Sequence, residues 1–324
     1  MKPFLPCPPS ANTSRRSVLR KLSLAGLAGS AVGVAGWPLR AMAAPADAKS
    51  PNPGAPPGSA ADGARLITLG GGITEVVYAL GAQALLVGTD TTSLYPAAAQ
   101  ATPKVGYLRQ LSAERLLALR PTAVVAGADA GPPVVLDQIR SAGVKVELVA
   151  ADHSWEEVRR KVAAVGRAAG REAAAQALQQ QLDARWQAVQ ERVRAQPPAR
   201  PPRVLFVLSH SGSPQVAGEQ TAADAMIRFM GARNALGGFQ GYRPMTAEAM
   251  AAAAPDVILT TTQGLEAVGG ADAFWQRPEV ALTPAFRQRH TPRALVHLDA
   301  LELLGFGPRL PDVVERLHRQ VVRA

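Results

Sequence analysis

The segment "SWEEVRRKVAAVGRAAGREAAAQALQQQLDARWQAVQERVRA", Ser154 to Ala195, is built almost wholly of strong helix formers. Gly170 divides it, and "QPPARPP" ends it. The piece from Arg171 to Ala195, at 1.5 Å per residue, spans roughly 37 Å, more than most domain helices. On both sides of this segment the pattern is different. "ARLITLGGG" clusters apolar residues at Leu66, Ile67 and Leu69 and ends in glycines, as a buried strand does. "ITEVVYALG" reads as a helix closed by Gly81, and "ALLVGTD" as the next strand. A loop with Tyr107 follows, then a helix over Ala113–Leu119, the strand "AVVAG", a helix "VVLDQIRSAG" and the strand "VKVELVA". Strand–helix alternation at this spacing predicts parallel βαβ units. It resumes at "RVLFVLSHSGS" and runs through "DVILTTT" and "ALVHLD" to a C-terminal helix. The predicted fold class is therefore α/β: two Rossmann-like lobes joined by a single long α-helix. The boundaries are 64–153 for the N-terminal lobe, 154–196 for the connecting helix and 197–324 for the C-terminal lobe.

The two lobes carry an internal echo. "RQLSAERLLALRPTAVV" (Arg109–Val125) aligns with "RPMTAEAMAAAAPDVIL" (Arg243–Leu259). Each reads Arg, two residues, Ser/Thr-Ala-Glu, a helix, then a strand led by proline. Arg109 lies five residues before Glu114 and Arg243 five before Glu248, and Tyr107 and Tyr242 precede the two arginines. Ser112 and Thr246 are suited to N-cap these helices, and a first-turn glutamate suits the helix dipole. Capping alone accounts for the repeated "S/T-A-E" but not for the residues upstream of it. The echo predicts two lobes related by approximate symmetry, with like loops facing each other across a cleft.

The N-terminal 43 residues hold Lys2, Arg15, Arg16, Arg20, Lys21 and Arg40 and no acid. A weakly apolar Ala/Gly/Leu run and "AMA" follow the Arg15-Arg16 pair. This reads as an export signal over 1–43 removed near Ala43, with the paired arginines pointing to the twin-arginine route. Residues 44–63, rich in Pro, Ala and Gly, read as a flexible linker. Of 35 basic residues, losing the six in the leader leaves 29 against 25 acidic ones. That near balance, without a basic stripe interleaved with aromatics, argues against a nucleic-acid partner. The lone cysteine, Cys7, lies in the leader, which excludes disulfide and thiol chemistry from the remainder.

Ligands of open α/β sheets sit outside the carboxyl ends of the strands. The loops expected there carry Tyr95, Tyr107, Arg109, Ser209, His210, Tyr242 and Arg243. They hold no carboxylate pair and no closely spaced histidines, so neither a general acid–base pair nor a zinc site is indicated. "LGGGITE" (Leu69–Glu75) lacks the spacing of a phosphate-binding loop and reads as a helix start. Tyrosine, arginine and one histidine suit ferric haem: phenolate is a hard donor for iron(III), and a neighbouring cation favours the charged phenol. Tyr107 is the candidate iron ligand, Arg109 its neighbouring cation, Arg243 a cation for a propionate, and His210 a second axial ligand or hydrogen-bond donor. Each has a plainer alternative: Tyr107 as a packing residue, Arg109 as a salt-bridge or capping residue, Ser209-His210 as a strand-end turn or half of a nucleophile pair.

"GGGITEVVYALGA", "LVGTDTTSLYP", "PKVGYLRQLSAERLLALRPT", "VLFVLSHSG", "TAADAMIR", "GYRPMTAEAM" and "LLGFG" together closely resemble the periplasmic haem-binding subunits of bacterial ABC haem importers. The resemblance runs from about Arg65 to the C-terminus. It implies the helix-bridged class of periplasmic binding proteins (class III), with little closure on binding, no catalysis, and haem as transported ligand. It implies Tyr107 as iron ligand and His210 as a second ligand or distal residue; on the reading of the residues themselves, Arg109 lowers the phenol pKa or binds a propionate, and Tyr242 and Arg243 line the opposite wall as haem or propionate contacts. Glu114 and Glu248 match two exposed acids, one per lobe, that dock on an ABC permease dimer with its ATPase. The protein would act as a periplasmic monomer. The same class includes ferric-siderophore and corrinoid carriers. A nucleotide-dependent enzyme on a doubly wound sheet is the remaining alternative, and it would need a general base that these loops do not offer.

Overall fold

A computed structural model describes residues 63–195, 197–209 and 214–323. All lie within one compact unit, Pro56–Ala324. The leader, all but the last residue of the 44–63 linker, and His210 lie outside the described residues.

The N-terminal lobe is a four-stranded parallel sheet in the order β2-β1-β3-β4. Its strands are β1 (Leu66–Leu69), β2 (Leu86–Thr89), β3 (Ala123–Gly127) and β4 (Lys145–Val149). The interleaved helices are α1 (Gly71–Ala79), α2 (Ala113–Ala118) and α3 (Pro133–Ser141). All four residues of β1 are buried, as expected for a parallel strand covered on both faces. The segment 154–196 is two helices, α4 (Trp155–Ala168) and α5 (Glu172–Ala195), packed on each other. Gly170 turns the chain between them at φ 61°, which glycine takes without steric cost. Only α5 has the length of a bridge; α4 packs against α1, β3 and β4.

The C-terminal sheet is mixed. Strands β5 (Arg203–Leu208), β6 (Gln215–Ala217), β7 (Arg233–Asn234), β8 (Tyr242–Pro244), β9 (Val257–Thr261) and β10 (Leu295–Leu298) run in the order β10-β9-β5-β6-β8, with β7 on β5. Antiparallel pairing of β6 with β5 and β8 departs from the parallel alternation read from sequence. These strands are three residues long, too short to show a period. Helices α6 (Ala222–Phe229) and α7 (Ala247–Ala253) precede β9; α8 (Thr262–Ala267), α9 (Gly270–Trp275), α10 (Pro278–Ala281) and α11 (Pro284–Arg287) separate it from β10. Helices α12 (Ala300–Leu304) and α13 (Leu310–Leu317) follow.

The echo persists in the backbone. Both α2 and α7 run into a left-handed residue before a proline, Arg120 at φ 46° and Ala254 at φ 39°, and then into a strand. Upstream the two copies differ, because Tyr107 sits in a turn and Tyr242 in β8. The caps differ too. Thr246 accepts from the Ala249 N–H at 3.1 Å, whereas Ser112 takes the N-cap backbone but makes no side-chain cap bond.

Three apolar clusters hold the lobes. One covers the outer face of the first sheet under α2 and α3 (Ile67, Leu69, Leu116, Val124, Ile139). One covers the outer face of the second (Leu205, Val207, Met250, Ile258, Phe274). The third is continuous between the lobes, from Leu66, Val76 and Val125 through Val162, Leu182 and Val189 to Phe206, Met226 and Leu317. Each sheet therefore keeps one face for itself and gives the other to a core shared between the lobes. The glycines of "LGGG" serve this junction rather than a phosphate. A Cβ on Gly72 would lie 2.2 Å from the Gly305 carbonyl oxygen, and one on Gly71 2.4 Å from Leu301 Cδ1.

Candidate ligand site at the strand ends

The β2–α2 loop begins at Asp90, which is fully buried. Its carboxylate accepts from the Gly70 N–H (2.9 Å), the Thr92 N–H (3.0 Å) and hydroxyl (2.6 Å), and the Ser93 hydroxyl (2.8 Å). The loop returns along β2, where Val105 N–H donates to the Thr89 carbonyl at 2.9 Å. Lys104 closes it from below, donating to Thr89 Oγ1 and to the Ser93 and Ala99 carbonyls, and burial holds its ammonium below the usual lysine range. Gly106 then turns at φ 113°, a conformation closed to most L-residues. Val105, Leu108 and Leu111 are buried, so the residues between them face outward. Two backbone hydrogen bonds, Gly131 N–H to Leu108 O (2.8 Å) and Leu111 N–H to Gly131 O (2.9 Å), fasten this turn to the β3–α3 loop.

Tyr107 is 38% exposed at the tip of the turn. Arg109 Nη1 donates to its hydroxyl at 2.7 Å, and Arg109 Nη2 donates to Asp129 Oδ2 at 2.5 Å. Burial works against the Arg109 charge, but Asp129 and then Tyr107 outweigh it and hold the guanidinium above its ordinary value. Asp129 belongs to the β3–α3 loop and was not among the residues singled out from sequence. Its only signal there is its place just beyond a buried strand.

On the other lobe, Tyr242 pairs with Ala217, and Arg243 with Val216, in the β6–β8 ladder. Neighbouring residues of a strand point to opposite faces. Tyr242 comes within electrostatic range of Arg109 of the first lobe and hydrogen-bonds Thr221. Burial raises its phenol, and those two contacts pull it back only in part. Arg243 lies with its guanidinium carbon 4.4 Å above the Phe239 ring. The structure thus brings Tyr107, Arg109, Asp129 and Tyr242 together across the gap, with Arg243 behind Tyr242. Thr221, the N-cap of α6, supports Tyr242 from below. Ser209 is buried, with its backbone against Gly264. Glu114 and Glu248 are both exposed, in the first turns of α2 and α7. A hydrogen bond from its own backbone and one from Thr246 hold the Glu248 carboxyl below the usual range.

Tyr95 lies at the lobe junction. Its ring is 3.7 Å below the guanidinium of Arg309, which grips the buried Glu75 carboxylate at 2.6 and 3.0 Å. Lys161 of α4 donates to Glu157 (2.6 Å) and to the carbonyls of Gly305 (2.9 Å) and Phe306 (3.1 Å). Among the described residues no cluster of three metal-ligating side chains occurs, and no helix is long and apolar enough to cross a membrane.

Comparison with known proteins agrees with this architecture. The solved structure of the periplasmic heme-binding protein BhuT in complex with two hemes is 51% identical, covering 79% of this chain and 97% of that one, with a TM-score of 0.75. The apo periplasmic heme-binding protein RhuT from Roseiflexus sp. RS-1 is 39% identical over the same shares, with a TM-score of 0.74. Among curated proteins, an uncharacterised ABC transporter substrate-binding lipoprotein, YvrC of Bacillus subtilis (strain 168), is 27% identical over 199 residues, 61% of this chain. The chain spans 63% of the length of that lipoprotein and 29% of the length of the vitamin B12-binding protein of Yersinia pestis (strain Pestoides F), which it matches at 33% over 82 residues, 25% of this chain. The model of the "Periplasmic binding protein" family matches residues 66–291, and the chain belongs to that family of binding proteins.

Proposed function

We propose that this protein binds ferric haem between its lobes in the periplasm and delivers it to the permease of an ABC importer. The observation that carries this reading is the Tyr107 hydroxyl, presented by the Gly106 turn with an Arg109 N–H 2.7 Å away and Tyr242 on the facing wall. Iron(III) takes the phenol oxygen of Tyr107 as its axial ligand and displaces the proton. The Arg109 N–H stays on that oxygen and offsets its charge. Arg243, next to Tyr242 along β8, is the proposed cation for a propionate, and His210 is the proposed second axial group. Support comes from 51% identity to a protein solved with two hemes.

Ferric siderophores arrive with iron already saturated by oxygen donors and would leave Tyr107 without a ligand role. A corrinoid is the other cargo to weigh, given the Yersinia relative. One titration separates these readings. Purified protein lacking residues 1–43 is mixed with hemin, and separately with cyanocobalamin, as wild type and as Tyr107→Phe. The expected result is a Soret band with a phenolate–iron charge-transfer band in the wild type. Tyr107→Phe should lose the latter and at least about tenfold in affinity, roughly 1.4 kcal/mol. Equal hemin spectra and affinities in both proteins, or uptake of the corrinoid alone, would overturn the reading.

Docking to a permease dimer with its ATPase is assigned to Glu114 and Glu248, one on each lobe of a monomeric carrier. Export is assigned to the twin-arginine route through residues 1–43, with cleavage near Ala43. Replacing Arg15-Arg16 by Lys-Lys should retain the precursor in the cytoplasm, and normal export of that variant would exclude the route.

A further inference from the structure

We infer that Asp129 is the positioning residue of this site: its carboxylate fixes the rotamer of Arg109 so that one guanidinium N–H rests on the Tyr107 hydroxyl. The inference rests on the proposed ligand role of Tyr107 and adds a residue to that site.

Arg109 has four rotatable side-chain bonds and its side chain is 57% exposed. Left alone it would sample solvent, since a guanidinium carbon 5.9 Å from the Tyr107 ring centroid gives only a weak cation–π attraction. Two bonds at opposite terminal nitrogens settle its direction, Nη2 on Asp129 at 2.5 Å and Nη1 on Tyr107 at 2.7 Å. The fork geometry of guanidinium means that holding one arm aims the other.

The carboxylate is itself held. The chain around it is fastened by Ala128 N–H to Val149 O (2.8 Å), Ala130 N–H to Gly127 O (2.9 Å) and Gly131 N–H to Leu108 O (2.8 Å). Gly127 leaves the space it occupies, because a Cβ there would lie 2.7 Å from Asp129 Oδ1. A stabilising role does not account for this arrangement, as an ion pair with side chains 57% and 41% exposed contributes little to folding. The pair is also net neutral. It therefore offers a propionate little net attraction, which fits a role in aiming Arg109 at the phenol oxygen.

The test is a double-mutant cycle on the mature protein with hemin, using Asp129→Ala, Arg109→Ala and both. Asp129→Ala should weaken binding about tenfold, or about 1.4 kcal/mol, and shift the phenolate–iron charge-transfer band as Arg109→Ala does. In the Arg109→Ala background the same substitution should change neither. In apo protein, the Arg109 Nε–H signal should be ordered in the wild type and mobile in Asp129→Ala by ¹⁵N relaxation. If Asp129→Ala melts early, Asp129→Asn, of the same shape and still an acceptor, carries the cycle and should lose less than about threefold. Wild-type affinity and band in Asp129→Ala, or an equal loss with and without Arg109, overturns the inference. Failure of the wild type to take up hemin, or a charge-transfer band surviving Tyr107→Phe, sinks the reading beneath it instead.

Discussion

At the scale of single residues, the candidate site turns on which side chains the loops bring to the Tyr107 hydroxyl. Tyr107 and Arg109 are two positions apart, so chain order alone declares them neighbours. Asp129 stands 20 residues further along and joins them only when the β2–α2 and β3–α3 loops are stitched at Leu108, Leu111 and Gly131. No local pattern encodes that. The echo singles out Glu114 and Glu248, and both are exposed in helix first turns. The helix dipole explains why a carboxylate is tolerated there but gives no reason for one on each lobe. Replacing both by lysine should leave hemin affinity within about twofold, since both side chains are exposed on α2 and α7, and should weaken docking to permease-containing vesicles by well over tenfold. Unchanged docking in a co-sedimentation assay would return these residues to a capping role.

At the scale of elements, long periodic segments were readable and short ones were not. β1, β3, β4, β5 and β9 fall within the apolar runs that announce them. β6 and β8 have three residues each, and Pro244 sits in β8, so neither strand carried a signal. The helical segment shows a different limit. Composition marked the break at Gly170 but not that α4 folds back onto the first lobe while α5 makes the bridge. A polar hub joins the two helices: Asp183 Oδ1 accepts from Trp155 Nε1 (2.6 Å), Arg159 Nε (3.0 Å) and Gln179 Nε2 (2.9 Å). Burial alone would raise this carboxyl, but the bonds from Arg159, Trp155 and Gln179 hold it below its ordinary value of 3.8. The folded state thus binds this proton more weakly than the unfolded chain. Its contribution is complete above about pH 4 and is lost as pH falls through the depressed value. Asp183→Asn should cost roughly 1–2 kcal/mol in urea denaturation at pH 7. The gap to wild type should stay constant from pH 5 to 8 and narrow below pH 4. A gap that widens with acid would reverse the sign argued here.

At the scale of the whole molecule, the sequence suggests two similar halves, and the structure shows why they do not behave as separate ones. A core continuous from Leu66 to Leu317 runs through α4 and α5. Along it Trp155 stacks on Trp186 (centroids 4.9 Å apart), and Trp186 meets Phe229 edge-on at 4.8 Å. Glu75 of α1 and Arg309, just before α13, close the junction with side chains only 4% and 24% exposed. Removing one member of such a pair strands a charge, whereas replacing both is often nearly neutral. Arg309→Ala should therefore cost about 3 kcal/mol, and the double variant Glu75→Gln with Arg309→Met should recover most of it. Loss of the Arg309 contact to the Tyr95 ring should appear in both variants, which makes the difference between them a measure of the stranded Glu75 charge. The shared core makes a further demand. Unfolding of a Trp275→Phe variant followed by the fluorescence of Trp155 and Trp186, which sit between the lobes, and by far-ultraviolet circular dichroism, which reports on both sheets, should coincide in one transition. Two separated transitions would mean that the lobes keep independent cores. In that case the Glu75–Arg309 pair would join two independent units and not close a single one.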